Sequence, residues 1–286
     1  MATLREIKTR IKSVKNTQQI TKAMKMVAAA KMRRAQDRMF SARPYAEKIR
    51  ELIQNLTASV ENPQLELLKS RPVQNVTLVV ITSDRGLCGS FNTNVIKKAV
   101  MEADAHRDLN LSIVTLGKKG YDFFRKRGYN IVDRKVDFYN DLQFAHANEI
   151  ANSLIKRFIT GETDAVKIIY NEFKSVARQN LVVDKLLPIS LEDFETQQTG
   201  DYIYEPDQAA ILEALLPRHI RTQVWRALLE SFASEQAARM IAMENATDNA
   251  NEIIRQLTLQ YNKARQAAIT KEILEIVGGA EALKSS

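Results

Sequence analysis

From Leu4 to Val60 the chain reads LREIKTRIKSVKNTQQITKAMKMVAAAKMRRAQDRMFSARPYAEKIRELIQNLTASV, without a glycine and with Pro44 as its only proline. Such a run permits one very long helix with a local perturbation at the proline. Its apolar spacing is that of a helix-pairing seam. Leu4, Ile7, Ile11 and Val14 follow a 3,4,3 rhythm, and Met39, Ala42, Ala46, Ile49, Ile53, Leu56 and Val60 resume it. Between them Met24, Ala28, Met32, Ala35 and Met39 run mostly at spacing four, which predicts a shifted stripe.

Working outward, a second long helix is expected after Tyr204-Glu205-Pro206-Asp207, with Asp207 as its cap, an interruption at Pro217, and an end near Val277-Gly278-Gly279. Ile253, Leu257, Tyr261, Ala264 and Ala268 supply its expected seam. At 1.5 Å per residue the two helices reach roughly 85 and 90 Å, so an antiparallel pair is the economical arrangement. Between them, residues 73–200 alternate apolar strands (Val76–Thr82, Leu111–Leu116, Ile131–Phe138, Ala165–Tyr170, Leu181–Ile189) with helices (Asn92–Ala105, Lys118–Lys126, Phe144–Ile159). That alternation predicts an open α/β, Rossmann-like sheet with helices on its faces. The expected organisation is a helix over 1–60, an α/β domain over 73–200 and a helix over 207–286.

Composition narrows the function classes. Residues 1–60 hold 14 Lys and Arg against four acids, while the remainder is slightly acidic. A basic block of this kind points to a polyanionic partner: nucleic acid, lipid headgroups or acidic protein surfaces. Residues 1–34 carry ten basic side chains, one acid and no aromatic to stack on a base, which weakens the nucleic-acid scaffold reading. Cys88 is the only cysteine, so an intramolecular disulfide is excluded, and His106, His146 and His219 are too scattered for a helical metal motif. No metal or cofactor is expected. No apolar run is long enough to span a membrane, and the basic amphipathic start lacks a secretory core, so a cytoplasmic location is expected.

The best candidate ligand loop is Ser83-Asp84-Arg85-Gly86-Leu87-Cys88-Gly89-Ser90-Phe91-Asn92, between a buried strand and a helix. It meets neither nucleotide fingerprint, and close packing around Gly86 and Gly89 is the preferred reading. Cys88 has no base assigned by the sequence, and the acidic residues Asp201, Glu205 and Asp207 read as solvated charge. Asn245-Ala246-Thr247 matches a glycosylation sequon but falls within a predicted helix.

Four stretches carry a resemblance. Ile11-Lys12-Ser13-Val14-Lys15-Asn16-Thr17-Gln18-Gln19-Ile20-Thr21-Lys22-Ala23-Met24, the Ser83–Asn92 loop, and Met243–Ala250 with Ile269–Leu283 together make the chain similar, over essentially its whole length, to the gamma subunits of F-type ATP synthases. The resemblance implies a rotor shaft without catalytic residues. It would couple ion flow through a membrane c ring to three alpha and three beta subunits, with an epsilon subunit at the foot, on the cytoplasmic face of the cell membrane. It assigns beta-subunit contact to Lys22, Met24, Lys25, Arg33, Arg34, Arg265 and Gln266. It assigns an apolar bearing tip to Ile273, Leu274, Ile276 and Val277, and c-ring or epsilon contact to Tyr202, Tyr204 and Glu205.

Overall fold

The computed structural model describes residues 3–59, 65–190, 194, 205 and 207–284, with side chains at 57–59 and 279–284 outside the description. Val60 and the Tyr202 and Tyr204 of the expected foot contact lie outside the described residues. Helix α1 (Leu4–Ser59) is followed by β1 (Asn75–Ile81), α2 (Phe91–Ala105), β2 (Asn110–Leu116), α3 (Lys118–Lys126) and β3 (Ile131–Lys135). Then come α4 (Phe144–Ile159), β4 (Ala165–Phe173), β5 (Gln179–Leu187) and α5 (Gln208–Lys284). The chain divides into two compact units, Met1–Val27 with Met240–Ser286, and Ala28–Arg239.

In the larger unit the five strands lie in the order β3-β2-β1-β4-β5, parallel except for the antiparallel edge strand β5. The apolar run of β1 follows from burial on both faces. Val79 and Ile81 face a core with Ile49, Ile53, Leu154, Phe158 and Leu212, whereas Val76, Leu78 and Val80 face another with Val95, Ala99 and Phe124. Strand β3 stops at Lys135, short of the expected Phe138, because Asp137 takes a left-handed φ of 59° and a 3₁₀ turn follows at Tyr139–Asp141.

Helix α5 carries through Pro217 instead of breaking there. Leu212, Leu215, Leu216 and Ile220 are buried on either side of the proline, and that packing holds the turn. Asp207 caps the helix as the sequence predicts, its Oδ1 accepting the Ala210 amide at 2.8 Å. Along α1 the buried and half-buried positions Ala28, Met32, Ala35, Met39, Ala42, Ala46, Ile49, Ile53 and Leu56 keep an unbroken alternation of four and three, without the expected shift.

Two local constraints matter for stability. The end of β1 and the start of α3 approach so closely that a Cβ on Gly117, whose φ is 101°, would lie 2.1 Å from the Thr82 carbonyl oxygen. Beside β4, β5 and α5 a cavity of about 400 Å³ is lined by Arg50, Tyr170, Asp184, Lys185, His219 and Gln223 among others. Burial, with the Arg50 charge adding to it, pushes the His219 imidazole down to about 4. The ring packs edge-on against Phe194, with centroids 5.4 Å apart.

Gly117→Ala is expected to cost about 3 kcal/mol or more, since it combines a forbidden contact with an unfavourable φ. Gly89→Ala, whose φ is 58° but whose Cβ would meet open space, should cost only about 1 kcal/mol. Urea unfolding of the two variants checks the contrast. For His219 the folded pKa lies below the unfolded 6.5, so the unfolded chain binds the proton first as pH falls. The stability of the wild type relative to His219→Gln should therefore fall by on the order of 3 kcal/mol as pH drops from 6.5 to about 4. Taking the difference cancels Glu230 and Glu235, whose carboxyls burial raises and which act in the opposite sense.

Candidate functional site

The smaller unit is an antiparallel helix pair whose register is written in three polar contacts. Gln18 and Asn251 are hydrogen-bonded, Thr21 and Thr247 share a hydroxyl contact at 2.8 Å, and the Lys25 ammonium meets the Glu244 carboxylate at 2.6 Å. As α1 advances from 18 to 25, its partner retreats from 251 to 244. The α1 seam is Leu4, Ile7, Ile11, Val14, Gln18, Thr21 and Lys25, again in unbroken three-four alternation. Opposite it stand Met243, Thr247, Ala250, Ile254, Leu257, Tyr261 and Ala264. The expected seam was one residue out at Ile253, which is 45% exposed, and Ala268 is exposed as well.

The same register sets Leu4 level with Arg265, so Gln266 onward lies past the described start of α1. Arg265 and Gln266 are exposed. The expected tip residues Ile273, Leu274, Ile276 and Val277 are 54–66% exposed, a large apolar display for so short a stretch. At about 100° per residue these four and Ile269 cover an arc of about 160°, Gln266 lies within it and Arg265 at its border. This arc points away from the direction of the Ile254, Leu257, Tyr261 and Ala264 seam. Leu259, 63% exposed, continues it towards the amino end of α5.

Of the expected basic contacts on α1, Lys22 is exposed and Met24 half-buried, while Lys25 is engaged by Glu244. Lys22 stands roughly 27 Å along the pair axis from Arg265, given the register and 1.5 Å per residue. The two regions therefore form separate patches. Arg33 and Arg34 belong to the larger unit and are exposed, and Glu205 is exposed too. Sequence reading passed over Ile20, Met26 and Val27, which are 56–61% exposed on the same stretch of α1 as Lys22. The signal was available: continuing the heptad through Gln18, Thr21 and Lys25 turns these three outward, but polar seam residues hide that phase.

In the larger unit the Ser83–Asn92 loop closes on itself. The Ser83 amide donates to Asn92 Oδ1 at 2.9 Å, Asn92 Nδ2 donates to Ser83 Oγ at 2.8 Å, and Ser83 Oγ donates to the Arg85 carbonyl at 2.6 Å. Leu87 and Gly89 both take a left-handed φ, 63° and 58°. Gly89 thus meets a backbone need, whereas a Cβ on Gly86 would make only ordinary contact. Cys88 is buried, burial raises its thiol above the ordinary value, and Asn92 donates to its sulfur at 3.3 Å. A protonated, enclosed thiol is a poor nucleophile. Among the described residues, no three His, Cys, Asp or Glu side chains gather to hold a metal, and no helix is long and apolar enough to cross a membrane.

The ATP synthase family model matches residues 3–283. The ATP synthase gamma chain of Chloroherpeton thalassium is 53% identical, and that of Prosthecochloris aestuarii 52%, each alignment covering 100% of both chains. Among solved structures, the chain is similar to one from the Euglena gracilis mitochondrial ATP synthase (OSCP, F1 and c-ring) with a TM-score of 0.69 and 25% identity, over 98% of this chain and 94% of that one. A chain of the Tetrahymena thermophila mitochondrial ATP synthase central stalk and c-ring matches at a TM-score of 0.62 and 30% identity, over 79% of this chain and 99% of that one. A family model spanning nearly every residue and full-length relatives more than half identical agree with the paired helices and parallel-sheet domain seen here: the chain belongs to the ATP synthase gamma-chain family.

Proposed function

We propose that the chain is the central rotor shaft of an F-type ATP synthase, passing torque between a membrane c ring and three alpha and three beta subunits. It couples ion flow to ATP synthesis or hydrolysis. Residues 1–60 and 207–286 form the shaft and 73–200 the foot, with an epsilon subunit and the c ring at Tyr202, Tyr204 and Glu205. The chain is peripheral, on the cytoplasmic face of the cell membrane, and carries no catalytic group of its own. The observation that carries this reading is the outward apolar arc of α5 past Arg265, a surface that water disfavours and that suits an enclosing socket.

In physical terms the shaft acts by differential contact. Each beta subunit interconverts between open and closed states, and a shaft that touches one state more favourably shifts that equilibrium when its angle brings the contact round. Arg265 supplies a planar fork suited to a beta carboxylate, and Gln266 a neutral hydrogen bond next to it. Ile273, Leu274, Ile276 and Val277 supply non-directional contact, which suits a bearing. Lys22 and Met24 in the smaller unit, and Arg33 and Arg34 in the larger one, are the groups offered to acidic beta side chains, with Lys25 held back by Glu244. Ile20, Met26 and Val27 are exposed along the same stretch of α1 and add apolar area there.

Purified chain should bring down alpha and beta subunits rather than RNA, and should hydrolyse no nucleotide by itself. Met24→Lys places a cation at the half-buried border of the seam, next to Lys25 and in reach of acidic beta groups, an angle-dependent attraction of order 1 kcal/mol. ATP-driven proton pumping per ATP hydrolysed should fall in the mutant complex while assembly persists; an unchanged ratio would count against this placement. Arg265→Ala combined with Gln266→Ala removes about 2 kcal/mol of directional contact and should impair that ratio more than deletion from Gly278 to Ser286. A deletion that abolishes coupling beside a double variant that keeps it would reverse the assigned roles of grip and bearing.

A further inference from the structure

Strand order alone marks one place in the larger unit as special. From β1 the chain moves outward through β2 to β3, then returns to lay β4 on the other side of β1. Beyond the carboxyl ends of β1 and β4 the connections diverge, and in open sheets of this kind that crevice is where ligands bind. Here α5 occupies it. Ala233, Ser234 and Ala237 are fully buried, and Ser234 Oγ donates to the Asn171 carbonyl of β4 at 3.1 Å. Their small side chains let the helix lie close to the strand ends.

One turn further on, α5 places a charged pair against the loop that follows β1. Arg239 Nη1 meets Glu235 Oε1 at 2.6 Å, and the two side chains are only 11% and 7% exposed. Arg239 Nη2 reaches the carbonyl oxygens of Gly86 at 3.2 Å and Arg85 at 3.4 Å. Lys31 of α1 and Asp84 of the loop add their charges to the surroundings of Glu235. A guanidinium fork anchored by a buried carboxylate and aimed at two backbone carbonyls is directional: it is satisfied at one azimuth of the helix and lost when the helix turns about its axis.

We propose that Glu235 and Arg239 are positioning residues for coupling, through which the α/β domain grips α5 at its own ligand crevice and keeps it from turning against the sheet. The proposal rests on the rotor reading above. Torque that enters at the foot must pass into α5, and an apolar contact alone resists sliding and rotation only weakly because it lacks direction. Arg239 supplies the direction. The two loop carbonyls that face α5 thereby have their donors within the chain.

Cys88 reports on the grip. It is the only cysteine of the chain, it is buried within the same loop, and its sulfur feels the charges of Glu235 and Arg239. The test uses Arg239→Ala, Arg239→Lys and the pair Glu235→Gln with Arg239→Met, each as full chain in the complex reconstituted with alpha, beta and the membrane sector. The paired variant removes both charges and so avoids leaving Glu235 buried and unpaired. Two quantities are measured: protons pumped per ATP hydrolysed, and the rate at which N-ethylmaleimide alkylates Cys88, followed by mass spectrometry of this chain.

The expected result is a pumping ratio at least about twofold lower and an alkylation rate about tenfold higher in Arg239→Ala and in the paired variant, because the loop opens more often. Arg239→Lys, which keeps the charge but lacks the planar fork that spans Glu235 and the two carbonyls, should fall between them and the wild type. Faster alkylation with an unchanged pumping ratio would make the contact merely structural and overturn the proposal, as would wild-type values of both. Failure of the wild-type chain to assemble with alpha and beta would sink the rotor reading instead, and the alkylation rates would still tell whether Arg239 holds the loop.

Discussion

The contact between Thr21 and Thr247, flanked by Gln18 with Asn251 and Lys25 with Glu244, fixes the register on which the helix-pair unit depends. Apolar seams tolerate slippage by a heptad, because one Leu or Ile layer resembles the next. The Thr21–Thr247 pair does not, since a slip leaves its part-buried hydroxyls without partners, while the two exposed pairs beside it add matching contacts in the same register. Three successive polar layers cost stability relative to apolar ones, but they define which residue of α5 stands beside the start of α1. That register sets Arg265 level with Leu4 and Gln266 past the described start of α1, and Arg265, Gln266 and the apolar arc beyond are exposed.

Much of the fold was legible. Every strand and helix of the α/β domain was read at its place, most ends within a residue or two, because strands buried on both faces leave continuous apolar runs and Gly or Pro punctuates them. The phase of the helix seam was not legible where it mattered most. Gln18, Thr21 and Lys25 occupy core positions, and a reading that follows apolar residues jumps to Met24 and invents a shift. The same blindness displaced Ile254 to Ile253. Strand order, the antiparallel turn of β5 and the helix that fills the crevice depend on contacts between distant residues, and no local pattern encodes them.

For the proposed contact surfaces, sequence and structure meet only at exposure. Exposure of Lys22, Arg265, Gln266 and the four tip residues agrees with surfaces meant for partners, whereas Lys25 is engaged within the pair. Arg239 escaped notice altogether, since one arginine in an alanine-rich helix carries no motif. Its Glu235 partner, four residues before it, reads from sequence as an ordinary exposed pair. Only burial distinguishes the two cases, and burial here comes from a loop some 150 residues away in the chain.

Charge separates centring from angular choice. Residues 1–27 and 240–286 hold twelve Lys and Arg against seven acids, and the α5 part by itself is nearly balanced, so the excess sits on α1. Apart from Lys25, none of the basic residues from Arg5 to Lys22 has an ion-pair partner among the described residues. A field of this kind, spread along a helix and screened within about 8 Å at physiological salt, attracts an acidic surround at nearly every angle. It can hold a shaft in place but cannot tell one orientation from another. Orientation requires groups whose contact is short and directional, and in the proposed complex those are few: the Arg265 fork towards the beta subunits, and the Arg239 fork that ties α5 to its own domain. A shaft gripped at only one of them would turn without transmitting work.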